Sequence, residues 1–182
     1  MTTERWQFDA SHSGIHFSVR HLVIAKVRGQ FSRWNGALVI PDGDVSKATL
    51  EVNIDASSIE TGVADRDAHL KAADFFDVAQ YPDIAFKATA FEPHGTTGGR
   101  LTGPLTIKGI TRDVTLTVER HGQAKDPWGN ERAGFSAKTS IDRRDFGLTW
   151  NQALETGGVV VGERVEIEVE IEAVRQAAVK AA

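Results

Sequence analysis

The chain of 182 residues contains no cysteine. That removes disulfide staples, a thiol nucleophile and every thiolate metal site. It also lacks an excess of basic residues: 21 Lys and Arg stand against 25 Asp and Glu, for a net charge of -4. A protein that gripped nucleic acid, or anionic membranes in general, would usually be basic over its whole surface. No apolar run approaches the roughly 20 residues of a membrane-spanning helix, so no integral membrane segment is expected. The opening "MTTERWQFDASHSG" lacks the basic start and apolar run of a secretory signal, which predicts a cytoplasmic protein.

What the chain does have is alternation. In "ERVEIEVEIE", 163–172, Val165, Ile167, Val169 and Ile171 alternate with Glu166, Glu168, Glu170 and Glu172. A period of two is the mark of a strand with one wet and one oily face. The pattern recurs at 15–21, where Ile15, Phe17, Val19 and His21 share a face and His16, Ser18 and Arg20 take the other. At 34–40, Trp34, Leu38 and Ile40 oppose Arg33, Asn35, Ala37 and Val39; Leu50, Val52 and Ile54 form a further face, as do Ile84, Phe86, Ala88 and Ala90. Strands are also predicted near 6–8 and at 100–107, 114–120 and 132–140. The turns "PDGD", "PHGTTGG", "KGITRD" and "DPWGN" separate them. Such short links favour antiparallel neighbours.

One stretch, 61–83, breaks the alternation. Asp65 is placed to cap a short helix over about 65–73, with Asp67 in its first turn. Leu70, Phe75 and Phe76 make this excursion look like a plug or lid. The last residues, "AVRQAAVKAA", predict a frayed helix or a disordered tail, so one domain is expected over 1–174 with a tail over 175–182. About eight strands and one helix define an all-β fold, either a closed up-and-down barrel or a sandwich. A barrel of about eight strands either fills with side chains or holds one small ligand. The inner faces mix Phe17, Trp34, Phe86 and Phe135 with Ala88, Ala90, Ala133 and Ala137, and so leave both outcomes open.

Four stretches occur in order: "FDASHSGIHFSVRHLVIAKVRGQF", "SSIETGVADRDAHLKAADFFDVAQYPDIAF", "LTGPLTIKGITRDVTL" and "DRRDFGL". Together, from about 6 to about 174, they resemble the YceI-like family, also called polyisoprenoid-binding proteins. The resemblance implies a lipocalin-like antiparallel barrel with an extended interior pocket. It also implies an amphiphilic partner: a polyprenyl phosphate, an isoprenoid quinone or a fatty-acid amide. Many members are exported to the periplasm, and this sequence departs from them in lacking a leader. A homodimer is compatible with the resemblance, although no apolar outer stripe demands one.

The chemistry-bearing residues fall short of a catalytic site. His12, His16 and His21 cannot converge from one regular strand, and no H-x-H pair accompanies them, so no metal is expected. Arg66, Asp67 and His69 share one helical turn, a set better suited to fastening a helix than to acid–base chemistry. No G-x-S-x-G elbow is present, and "KGITRD" lacks the glycine-rich context of a phosphate loop. Of Arg143 and Arg144 on an extended segment only one can point inward, and Arg144 is assigned that role, with an anionic head group as its partner.

The expectation is therefore a carrier or storage protein with no cofactor and no catalytic residues, binding a long isoprenoid-type lipid. Phe17, Val19, His21, Trp34, Leu38, Leu70, Phe75, Phe76, Phe86, Phe135 and Arg144 are the predicted contacts. The alternatives are an enzyme acting on a lipid-like substrate in the same pocket, or a partner-binding protein with a filled barrel.

Overall fold

A computed structural model describes residues 2–177. Twelve strands form one antiparallel sheet: β1 (Thr3–Phe8), β2 (Gly14–His21), β3 (Ala25–Phe31), β4 (Trp34–Pro41), β5 (Thr49–Asp55), β6 (Ile59–Glu60), β7 (Asp83–Ala88), β8 (Ala90–His94), β9 (Gly98–Ile107), β10 (Ile110–Lys125), β11 (Glu131–Asp142) and β12 (Val161–Arg175). The helix α1 (Ala64–Lys71) lies between β6 and β7.

The twelve reduce to eight staves, because four staves are kinked. β1 and β2 run end to end along β12; β3 and β4 run end to end beside them, and β5 with β6, and β7 with β8, continue the series. Each stave pairs with the next, and β12 pairs back onto β1 and β2. The sheet is thus the expected up-and-down barrel of eight staves with a short inserted helix. Closure leaves few sheet edges unpaired.

Two of the kinks have a local cause. At Asp9, between β1 and β2, and at Asp55, between β5 and β6, an aspartate side chain accepts the backbone N–H two residues on and starts a single 3-10 turn. Asp44 and Asp142 start the same turn in the connections from β4 to β5 and from β11 to β12. Asx turns of this kind redirect a chain without a glycine. Where β7 meets β9 the wall bends so sharply that a Cβ on Gly103 would lie 2.0 Å from the Lys87 carbonyl oxygen. Only glycine fits there.

Three expectations are corrected. Asp65 does not cap α1: Val63 stands at the N-cap without a side-chain bond, and Asp65 is exposed in the first turn. Asp67 instead reaches back to accept the Thr61 N–H at 2.9 Å. Ala90 does not face inward. The pairing of Phe86 with Leu105 and of Ala90 with Thr102 differs by one residue in register, so a bulge at Thr89 reverses the parity and turns Ala90 to solvent. The expected tail over 175–182 begins later, because Arg175 stays in β12 and pairs with Trp6 of β1. Its last residues, 178–182, lie outside the described residues.

Two apolar clusters lie toward the two ends of the barrel. Trp6, Phe8, Ala133 and Ala173 form one. Ile15, Phe31, Ile54, Ile59, Ile84, Ile107, Phe146 and Leu148 belong to the other, toward α1.

Candidate functional site

Between those clusters the barrel is hollow. Val165, Ile167, Val169 and Ile171 of β12 point into it, while Glu166, Glu168 and Glu170 stand in solvent. The inward residues remain only half-buried, as do Phe17, Val52, Phe86, Leu116 and Phe135. In a filled barrel such side chains would close on one another, since protein interiors pack at crystal density. Here they border a cavity of about 930 Å³. That is near the upper end of the roughly 300–1,000 Å³ usual for small-molecule sites.

The cavity is long as well as large. Its lining runs along β12 from Val161 to Ile171. At about 3.3 Å per residue that is ~33 Å along the strand, or ~25 Å along the axis for a strand tilted by about 40°. At one end it reaches Gly43, Val45, Gly95 and Thr97, and at the other His21, Asp65 and His69. Exposed residues border the cavity at both ends.

Of the predicted contacts, Phe17, Val19, His21, Leu38, Leu70, Phe75, Phe76, Phe86 and Phe135 line the cavity. Phe17 lies across Gly29 of β3, where a Cβ would come 2.3 Å from its ring. Phe31 continues the aromatic wall, with ring centroids 5.7 Å from Phe17 and 6.0 Å from Phe76. Trp34 does not border the cavity. It shares the parity of Leu38 but is wedged where the two apolar clusters meet.

Arg144 does not border it either. The chain leaves extended geometry at Arg143–Phe146, so strand parity fails there. Arg144 turns outward, bonds Asp142 at 2.6 Å and pairs with Glu163 at 3.1 Å. Its guanidinium holds the Asp142 carboxyl down to about 2. The inward arginine is Arg143, only 4% exposed. It donates to the carbonyl oxygens of Gly162 (2.8 Å), Leu148 (2.6 Å), Trp150 (2.9 Å) and Val161 (3.3 Å). No carboxylate touches it among the described residues, and burial lowers its pKa.

The polar groups beside α1 are similarly engaged. Arg66 donates to the Thr61 hydroxyl and carbonyl, both at 2.7 Å. The His69 Nε2 lies 2.9 Å from Asp74, and its ring meets Phe75 and Trp150 edge-on at 5.1 and 4.8 Å. Sequence reasoning missed Trp150, Thr61 and Arg143 because they sit on turns, where period-two parity carries no information. Among the described residues, no buried side-chain nitrogen or oxygen lacks a partner. A guest would thus meet apolar area and shape before any unsatisfied polar group.

Asp9, His12 and Glu172 bring three metal-type ligand atoms within 4.8 Å of one another. Arg132 already supplies the positive charge there. Its guanidinium donates to Asp9 at 2.9 Å, to Asp126 at 2.9 Å and to Glu172. Hydrogen bonds from Ser11, His12 and Arg132 hold the Asp9 carboxyl well below the usual range. A cation would have to displace the arginine, so the donor set does not fit a metal centre.

A closed antiparallel barrel around a long apolar hollow defines a lipocalin-like barrel. This chain belongs to the YceI-like family, whose domain matches residues 6–173. It is 38% identical over 166 residues to a UPF0312 protein of Staphylococcus aureus strain N315, covering 91% of this chain and 94% of that one. The crystal structure of the Campylobacter jejuni YCEI protein is 32% identical, with a TM-score of 0.73 over 87% of this chain and 90% of that one. A polyisoprenoid binding domain from Saccharophagus degradans shares the fold at 15% identity, with a TM-score of 0.66 over 94% of this chain and 98% of that one. No helix among the described residues is long and apolar enough to cross a membrane.

Proposed function

We propose that the barrel binds one long amphiphilic isoprenoid-type lipid, a polyprenyl phosphate or an isoprenoid quinone, and serves as its carrier or store. The observation that carries this reading is the elongated cavity of about 930 Å³ whose walls are mostly Phe, Val, Ile and Leu, with charged and polar side chains toward its ends. Water held there would gain little from such walls, whereas a hydrocarbon tail loses its contact with water at about 25 cal/mol per Å². The name of the Saccharophagus degradans domain, which shares the fold, agrees with this reading.

Phe17, Val19, Leu38, Phe86 and Phe135 contact the tail, and Leu70, Phe75 and Phe76 cover it at the helix end. The head group lies at the helix end beside His21, where the lining also includes Asp65, Arg66 and His69. The buried charge of Arg143, balanced by carbonyl dipoles and no carboxylate, favours an anionic or strongly polar head there. At the same end Arg66, Asp67 and His69 are committed to structural bonds, and the proposal is binding without turnover. Organic extraction of protein purified from its own cells, followed by mass spectrometry, should yield one long-chain lipid per barrel. Recovery of no lipid, with no uptake of a polyprenyl phosphate or quinone by the purified protein, would refute it.

A further inference from the structure

The hairpin of β2 and β3 carries features that the interior does not explain. Its tip exposes Val23 and Ile24, 73% and 82% accessible. Leu22 and Val23 both take left-handed backbone angles, φ 53 and 65. A β-branched residue is a true outlier there, and strain of this kind gathers at functional sites. The tip adjoins the cavity mouth: His21 lines the cavity, and the Leu22 N–H donates to the carbonyl of Val160, itself a lining residue. Val159, also exposed, lies beside it.

Charge separates this hairpin from the rest of the molecule. Over 14–31 the chain holds Arg20, Lys26 and Arg28 and no carboxylate, in a protein of net charge -4. By strand parity all three cations lie on the outer face, since Arg20 pairs with Lys26 and Ser18 with Arg28 across the strands, and Arg20 also borders the cavity mouth. Lys26 is tied to Glu166 at 3.1 Å. Arg20 and Arg28 have no ion-pair partner among the described residues. The acidic whole argues against general adhesion to anionic surfaces; a basic finger on it suits one local contact.

We infer that this tip is a docking element for an anionic lipid bilayer, which sets the helix-end mouth of the barrel against the membrane. Val23 and Ile24 enter the interfacial region, while Arg20 and Arg28 meet anionic head groups. A tip of two or three residues is too narrow for a protein interface, which buries about 800 Å² per partner, but it is wide enough for a shallow wedge. The inference rests on the lipid-binding function proposed above, because a barrel that takes its guest from a bilayer must present its mouth there. Trp128, 82% exposed on the turn between β10 and β11 at the opposite end, is a lone apolar residue among charges of both signs. It serves as the internal control.

Flotation of the full chain with two sets of vesicles tests this, one of phosphatidylcholine alone and one of equal parts phosphatidylcholine and phosphatidylglycerol. The wild type should float with the mixed vesicles and only weakly with the neutral ones. The double change V23S with I24S should lower the bound fraction about tenfold, as should R20Q with R28Q. Trp128→Ala should stay within about twofold of the wild type. Equal flotation of all variants, or none by the wild type, overturns the inference. So does a wild-type dimer in gel filtration that V23S with I24S converts to monomer, since the tip would then contact a second copy. Extraction of bound lipid from the same preparations keeps the two claims apart: lipid present without flotation defeats docking alone.

Discussion

At the end of the barrel away from α1, Trp6, Phe8, Ala133 and Ala173 close into a filled cluster, and Ala173 is wholly buried. Strand pairing runs unbroken through that end, from β4 through β1 to β12 and β11. The arginine stationed there, Arg132, lies on the outside among three carboxylates. At the helix end the wall is made partly of non-strand segments. The α1 excursion is fastened by bonds between Thr61, Arg66 and Asp67, and residues 148–150 are clamped to the start of β12 by Arg143. The first end is held by unbroken strand pairing, although the turns at Gly43, Val45, Gly95 and Thr97 border the cavity there. The second is held by a few side chains and can open when those bonds release. From this contrast we expect a guest to exchange at the helix end.

The largest effect should come from the clamp. Arg143→Leu removes a donor from four carbonyls, of which Val161 keeps a second one in the Asn151 amide, and should cost about 3–5 kcal/mol in urea unfolding. Arg144→Leu, on the exposed neighbour, should cost far less. Equal costs would break the comparison. Next is the difference between filled and hollow regions. Ala173→Leu should destabilise by about 1–3 kcal/mol through overpacking. Ala137→Leu, facing the cavity, should stay within about 1 kcal/mol while lowering the amount of lipid extracted. Asp67→Asn, which weakens the bond to Thr61, should cost about 1 kcal/mol. It should speed amide hydrogen exchange in α1 and leave β1 and β12 unchanged. Exchange that quickens first in β1 would reverse the assignment of the two ends.

Acid should act on the end away from α1 without loosening it at neutral pH. Asp9 is held below the usual carboxylate range by Ser11, His12 and Arg132, and Asp126 by Asn130 and Arg132. Folded values below the unfolded value of about 3.9 mean that the unfolded chain binds protons first. The stabilisation is therefore complete above about pH 4 and is lost progressively below it. Urea midpoints measured from pH 7 down to about pH 2 should show that fall, and Arg132→Met should make it shallower.

The eight staves and their antiparallel order were legible because alternation survives wherever a strand divides oil from water; "ERVEIEVEIE" reads as it folds. Parity fails where the backbone leaves strand geometry. The bulge at Thr89 reversed Ala90, and the 3-10 turn at Arg143–Phe146 exchanged the roles expected of Arg143 and Arg144. Two of the kinks and two of the connections were written in the sequence as Asp two residues before Ser or Arg, a signal that alternation does not register. The hollow could not be read from composition. Whether Phe17, Phe86 and Phe135 meet across a barrel or stand apart depends on its diameter, which the closure of the sheet sets and the local pattern does not.

The most direct test of the hollow is a crystal structure of protein taken from its own cells without delipidation. We expect continuous, elongated density along Val165, Ile167, Val169 and Ile171, running from His69 and Trp150 toward Leu38 and Phe135. Phe17, Phe86 and Phe135 collapsed onto one another, with no channel left between them, would contradict the account.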